Sequence, residues 1–304
     1  MPNAPSRPPL PRIVVLVLFT FVAVAAAEPL VVRDDLGQTL RFDRTPQRIV
    51  SLSPALTEIL FALGLDEAIV GVSDFCNYPE AALHRPKVGG IAPNFEALIA
   101  LTPDLVVSTG GAGMGETARR LDRFGIPLMG VEADSVESIL ARITLLGKVT
   151  GRNASAAALV DDMRGRLAAI AARRFTAAAP RVLYLIDDEP PITVGPKSFL
   201  YDVLIKAGGR PFESGPRESY PRVGIEAVVR FDPEVIFFAG DSDRGASAHA
   251  ARWRRWDRIA AVKTGRMYAI PYDLINRPGP RIIEAIEFLA RKLHPDNQDV
   301  ERAP

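Results

Sequence analysis

The sequence predicts an α/β fold of two lobes joined by a single long helix, and three features carry that expectation. Short β-branched runs alternate with helically spaced apolar residues in both halves of the chain. A stretch rich in alanine and arginine, without proline, separates the two series. One segment is written twice, around Glu96 and Glu226. At 304 residues, 48% hydrophobic and 24% charged, the chain has material for two packed cores.

Residues 1–27 come first. Arg7 and Arg12 precede an apolar run from Ile13 to Ala27 that ends in small residues, the order of a secretory signal peptide with cleavage expected after Ala27. The run falls short of the ~20 apolar residues of a comfortable membrane span, with an uncleaved anchor as the alternative. Loss of the two arginines takes the formal net charge from +1 to −1, and so even a balance gives no electrostatic case for nucleic acid. Cys76 is the only cysteine, so no intramolecular disulfide is expected despite export, nor an acylated anchor behind the apolar run.

In the N-terminal lobe, expected over 28–150, strands are predicted at Ile49–Ser53, Ala68–Ser73, Leu105–Thr109 and Pro127–Val131. Ser53-Pro54 opens a helix through Leu56, Ile59, Leu60 and Leu63 that Gly64 closes. Residues Ala154–Phe175 read as one rigid helix of about 33 Å, enough to bridge two lobes over 151–178; a surface helix of either lobe is the alternative. A second lobe over 179–294 follows, with strands at Val182–Ile186, Val235–Ala239 and Met267–Ile270 and helices at Phe199–Ala207 and Pro280–Leu293. A frayed tail is expected over 295–304.

The segment Glu96–Val106 aligns with Glu226–Ile236 at a constant offset of 130 residues. Each copy reads as an amphipathic helix, a Pro-Asp or Pro-Glu turn and a buried strand, with Asn94 or Gly224 as N-cap. Two similar lobes on a stiff connector leave a cleft between them, a preferred place for a small-molecule site. Each glutamate alone is a first-turn acid favoured by the helix dipole by ~0.3 to 1 kcal/mol. As a pair they also form symmetric anionic handles suited to arginines on a two-fold partner.

Over Arg48 to Leu293 the chain resembles the periplasmic ferric-siderophore, haem and vitamin B12 binding proteins of ABC importers. The resemblance is carried by RIVSLSPALTEILFALG, GVSDFCNYP, VGGIAPNFEALIALTPDLVV, WRRWDRIAAVKTGRMYAIP and NRPGPRI, in the family order. It implies the class III fold of these binding proteins, Rossmann-like lobes on a helical backbone, and a periplasmic location. It also implies docking of Glu96 and Glu226 into arginine pockets of a permease dimer in the inner membrane. The bound molecule is then a ligand rather than an intrinsic cofactor, and a monomer is expected.

The vitamin B12 branch is implied by closer detail. Tyr220 stands six residues before Glu226, where that branch lays an aromatic against the corrin ring. Asp273 and Arg277 resemble the acid and arginine set against the amide-rich rim, and Phe75 and Tyr78 fall in the aromatic cleft loop. Cobalamin or another corrinoid is therefore the expected ligand, with haem or a ferric siderophore as the alternative. One departure is Gly90, where the branch has tryptophan six residues before the first glutamate, in a loop one residue shorter.

Plainer readings stand beside these. Asp273 also starts a turn, Arg277 is also a solvated cation before Pro278, and Tyr78 also packs before Pro79. Trp253 and Trp256, at i and i+3, read as core-facing, and Cys76 as a buried, inert thiol more often than a metal ligand. Gly110–Gly115 lacks the lysine and spacing of a phosphate-binding loop and reads as a small-residue loop that lets backbone approach a ligand at the cleft, with a plain flexible turn as the alternative. His84, His249 and His294 are isolated in the sequence, which argues against a zinc or manganese receptor. With no Gly-x-Ser-x-Gly elbow, the inventory also argues against an enzyme. A scaffold or adhesion module would need neither the paired acids nor the cleft loop.

Overall fold

The computed structural model describes residues 28–110, 113–173, 178–213, 215, 218–240 and 249–295. The expected signal segment 1–27 and the tail beyond Pro295 lie outside the described residues.

A hairpin of β1 (Leu30–Arg33) and β2 (Thr39–Phe42) leads into the first lobe. There β3 (Ile49–Ser51), β4 (Ile69–Val72), β5 (Leu105–Ser108) and β6 (Leu128–Gly130) form a sheet in the order β4-β3-β5-β6. All its pairings are parallel. Helices α1 (Pro54–Ala62), α2 (Phe95–Ala100), α3 (Met114–Asp122) and α4 (Val136–Val149) connect and cover the strands. Ile49, Val107 and Met129 join one apolar cluster while their neighbours Val50, Val106 and Leu128 join another. That alternation is what a sheet buried on both faces requires.

The hairpin, absent from the strands expected above, buries Val32 and Phe42 in the main apolar cluster, with Leu30 and Leu40 packed beside them. Polar contacts add to this: the amide of Gly130 donates to Asp34 Oδ2 at 2.9 Å, and that of Glu132 to Asp35 Oδ2 at 2.8 Å. Leu36 lies so close over Gly130 that any side chain there would collide with it.

Helix α5 (Asn153–Ala172) is the expected connector, about 30 Å long. The second lobe then builds β7 (Arg181–Asp188), β8 (Pro191–Thr193), α6 (Phe199–Lys206), β9 (Arg210–Pro211), α7 (Ile225–Phe231), β10 (Val235–Ala239), α8 (Ala260–Thr264), β11 (Met267–Ile270), α9 (Tyr272–Ile275) and α10 (Ile282–Leu293). The sheet order is β11-β10-β7-β8, with β9 also on β7. β10 and β11 run parallel to β7, and β8 turns back antiparallel.

The packing of the two lobes is continuous. The largest apolar cluster runs from Ile49 and Ile59 in the first lobe, through Ala156, Val160, Met163 and Ile170 on one stripe of α5, to Val182, Phe237 and Ile286 in the second. The connector is therefore part of the core. Arg166 on α5 adds a two-pronged contact to Glu287 on α10, both bonds 2.9 Å, and Arg164 pairs with Glu137 on α4 at 2.6 Å.

The repeat recurs in backbone detail that composition could not reveal. Among the described residues the non-glycines with positive φ are Thr102 (44°) and Asp232 (52°), again 130 apart, each just before the proline of its turn. An arginine at the head of each lobe's first core strand clasps that turn. Arg48 donates to the carbonyls of Leu101 and Thr102, and Arg181 to the carbonyl and carboxylate of Asp232.

Candidate functional site

The chain leaves the carboxyl ends of the parallel strands at Leu52-Ser53, Thr109-Gly110 and Pro271-Tyr272, the places where open α/β sheets present ligand sites. Two adjoining cavities form there, of about 630 and 620 Å³, sharing Thr109 of the first lobe and Pro278 of the second. They are the two wings of one inter-lobe cleft.

The first wing is the more apolar. Phe75 stands over it from the first lobe and Tyr272 from the second, 53% and 52% exposed, with Ser53 and Asp273 between them. Tyr272 had no signal in the sequence, because a four-residue helix offers no periodicity to read. Asn276 lies on the wall of this wing and accepts a 3.4 Å hydrogen bond from Tyr184 of β7. Burial holds that phenol's pKa well above its ordinary value.

Gly90 explains the position of Phe75. A Cβ at residue 90 would sit 3.3 Å from the ring's Cζ, so the ring occupies space that a larger residue 90 would need. Tyr78, expected in the same aromatic loop, lies elsewhere. It faces a smaller cavity of about 340 Å³ bounded by α1, α5 and α10, with the Arg281 guanidinium 3.8 Å from its ring centroid. Tyr220 lines the second wing beside Ser219 and Lys197, with Glu132 and Asp134 from the first lobe. Glu132 folds into the space left by the absent side chain of Gly110; Gly111 and Ala112 of that loop lie outside the described residues.

Asp273 and Arg277 line the first wing but are bound to each other and to the first lobe. Arg277 Nη2 meets Asp273 Oδ2 at 2.7 Å; its Nη1 donates to Glu58 Oε1 at 3.0 Å and to Asn77 Oδ1 at 2.7 Å. Asn77 in turn donates to Asp273 at 2.8 Å. Both terminal nitrogens of Arg277 are thus committed within the protein. Arg281 reaches the same Glu58 through bonds of 2.9 and 2.6 Å. These bonds raise the Arg281 pKa above its ordinary value.

Cys76 is buried, its Sγ 3.1 Å from Thr57 Oγ1 and 3.2 Å from Ser73 Oγ, which directs the thiol into the lobe. Trp253 is in the core, as its spacing implied. His249, isolated in the sequence, is paired in space: its Nδ1 lies 2.7 Å from Asp188 Oδ2 and its ring stacks on Phe238. Among the described residues no group of three His, Cys, Asp or Glu side chains is placed to hold a metal.

Glu96 and Glu226 occupy the second position of α2 and α7, and both are exposed. Asn94 caps α2, accepting from the Ala97 amide at 3.1 Å, while Gly224 supplies no side-chain cap. The two helices share one burial pattern over their first four residues, with Leu98 and Val228 as the buried anchors.

Residues 49–274 match the model of a family described as periplasmic binding protein. The chain is 33% identical over 281 residues to the cobalamin-binding protein of Halobacterium salinarum, a match covering 89% of this chain and 75% of that one. The structure of the periplasmic vitamin B12 binding protein of Vibrio cholerae is similar at a TM-score of 0.72 and 27% identity, over 83% of this chain and 98% of that one. A periplasmic haem-binding protein from Pseudomonas aeruginosa is similar at a TM-score of 0.72 and 26% identity, over 82% and 93% of the two chains.

Proposed function

The chain belongs to the periplasmic binding protein family, whose members serve ABC importers and are not enzymes, and from that premise we propose that it delivers a corrinoid of the vitamin B12 type. The observation that carries the choice of ligand is the first wing of the cleft. Phe75 and Tyr272 offer aromatic faces from opposite lobes, and Asp273 and Asn276 offer polar groups between them. A corrin is a broad, partly apolar plate fringed with amides, which aromatic faces and a few fixed hydrogen-bonding groups suit. Tyr220 extends the surface into the second wing.

Haem or a ferric siderophore is the second reading, supported by the likeness to a haem-binding protein. Charge weighs against it. Haem brings carboxylates and many siderophores are anionic, yet Arg277 of the first wing is already matched by Glu58 and Asp273 and Arg142 of the second by Asp35, and Lys197 shares its wing with Glu132 and Asp134. A neutral, amide-fringed ligand asks for no such cation.

In this reading the mature protein begins after Ala27 and works as a monomer. Lobes over 28–150 and 179–294 flank a bridge over 151–178, and Glu96 and Glu226 dock on the two halves of the permease. The experiment is a titration of mature protein with cyanocobalamin, cobinamide, haemin and a ferric hydroxamate, read by visible absorption and calorimetry. Saturable corrinoid binding is expected. Binding of haemin alone would move the assignment to haem, and binding of none would end the receptor reading.

A further inference from the structure

We infer that Glu58 is the positioning residue of the cleft, one buried carboxylate of the first lobe that fixes the ligand-facing residues of the second and the gap between the lobes. Its side chain, on α1, is 2% exposed, and both oxygens are engaged across the lobe boundary. Oε1 accepts from Arg277 Nη1 at 3.0 Å and Arg281 Nη2 at 2.6 Å, and Oε2 accepts from Arg281 Nε at 2.9 Å. The contact with Arg281 is the two-pronged kind, which fixes orientation as well as distance.

From Arg277 the network continues to Asp273 at 2.7 Å, and Asp273 accepts from Asn77 of the first lobe at 2.8 Å. Asn77 closes the ring by accepting from Arg277 at 2.7 Å. The lobes are therefore joined by two separate polar contacts, one at Glu58 and one at Asn77, with Arg277 common to both. Backbone packing at the same point is independent support. A Cβ on Gly279 would lie 3.3 Å from the carbonyl oxygen of Ala55, so the Pro-Gly-Pro turn before α10 rests directly on α1.

A buried ion network is a poor adhesive compared with apolar packing of the same volume, but it specifies direction. Here the direction matters, because Asp273 and Arg277 form part of the cavity wall. Glu58 itself does not line that wing, so it acts through them.

The test uses Glu58→Gln in the full mature chain, with spin labels at Glu67→Cys and Lys263→Cys, both exposed positions in different lobes. Folding is checked by circular dichroism. The inference predicts a broader inter-lobe distance distribution and at least tenfold weaker cyanocobalamin binding. Glu58→Asp, which keeps the charge one methylene short, should restore a narrow distribution at a shifted mean, an effect that lost stability alone would not produce. A folded Glu58→Gln with the wild-type distribution overturns the inference. Should that variant not fold, Arg281→Lys keeps the charge but loses the two-pronged contact; it carries the same expectation and is overturned the same way. The binding arm rests on the corrinoid reading and the distance arm does not. Wild type that binds no corrinoid removes the proposed ligand, and the distances still decide the role of Glu58.

Discussion

At Gly90 the ring of Phe75 leans over the bare backbone. Because Phe75 is half exposed, its removal should spare the fold and fall on the ligand. Phe75→Ala is expected to weaken corrinoid binding about tenfold, roughly 1.4 kcal/mol of lost aromatic contact, with unchanged thermal unfolding. Calorimetry on the two proteins checks it. Gly90→Trp should dislodge Phe75 and shift selectivity between cyanocobalamin and cobinamide. Cys76→Ala, by contrast, should leave the absorption spectrum of the bound ligand unaltered, because Sγ faces Thr57 and Ser73. That Phe75, Tyr220, Asp273 and Arg277 line the cleft was legible because each stands in a recognisable motif. The places of Glu58 and Asn77 were not, since contacts bridging 196 to 223 residues leave no local pattern.

Elements were legible in proportion to how continuous their apolar runs are. The strands Val235–Ala239 and Met267–Ile270 match their expected bounds because they are such runs, although only the first is buried along most of its length. The β1–β2 hairpin, exposed along much of its length, was invisible. The clasps by Arg48 and Arg181 were also hidden, and they predict an additive pair. Each arginine-to-alanine change should cost about 1 kcal/mol, and the double variant their sum, since the two turns sit in different lobes without shared partners. Urea unfolding of the three variants measures this. Around α10, stability should fall on the acid side. Burial holds the His294 imidazole below its ordinary 6.5, so its contribution is complete above that value and declines as pH falls toward the lower folded value. Hydrogen bonds from Arg166 hold the Glu287 carboxyl below its ordinary 4.5, so a second loss follows as pH drops below that value. Replacing His294 by Gln should flatten the urea midpoint between pH 7 and pH 5 while leaving the Glu287 step.

For the whole molecule, the twin segments seen in the sequence carry more than a shared helix. Left-handed residues at 102 and 232 and the arginine clasps repeat with them, so the two lobes present Glu96 and Glu226 from equivalent frameworks. A symmetric partner would then feel each loss alike. Glu96→Ala and Glu226→Ala should each lower uptake by a similar factor, and together abolish it, while corrinoid binding by the purified protein stays unchanged. Unequal single effects, with one variant inert, would sink symmetric docking. The connector sets how far the lobes can move. One apolar cluster passes through α5 into both, and α5 itself is held to α4 and α10 by Arg164 and Arg166. A flexible tether between separate cores would allow wide closure, whereas a connector buried in a common core resists bending. The radius of gyration by X-ray scattering should therefore differ by less than about 1 Å between free and corrinoid-bound protein, as for other pre-organised binding partners. A contraction of several ångströms on ligand addition would show that α5 bends and that the core through it is not continuous in solution.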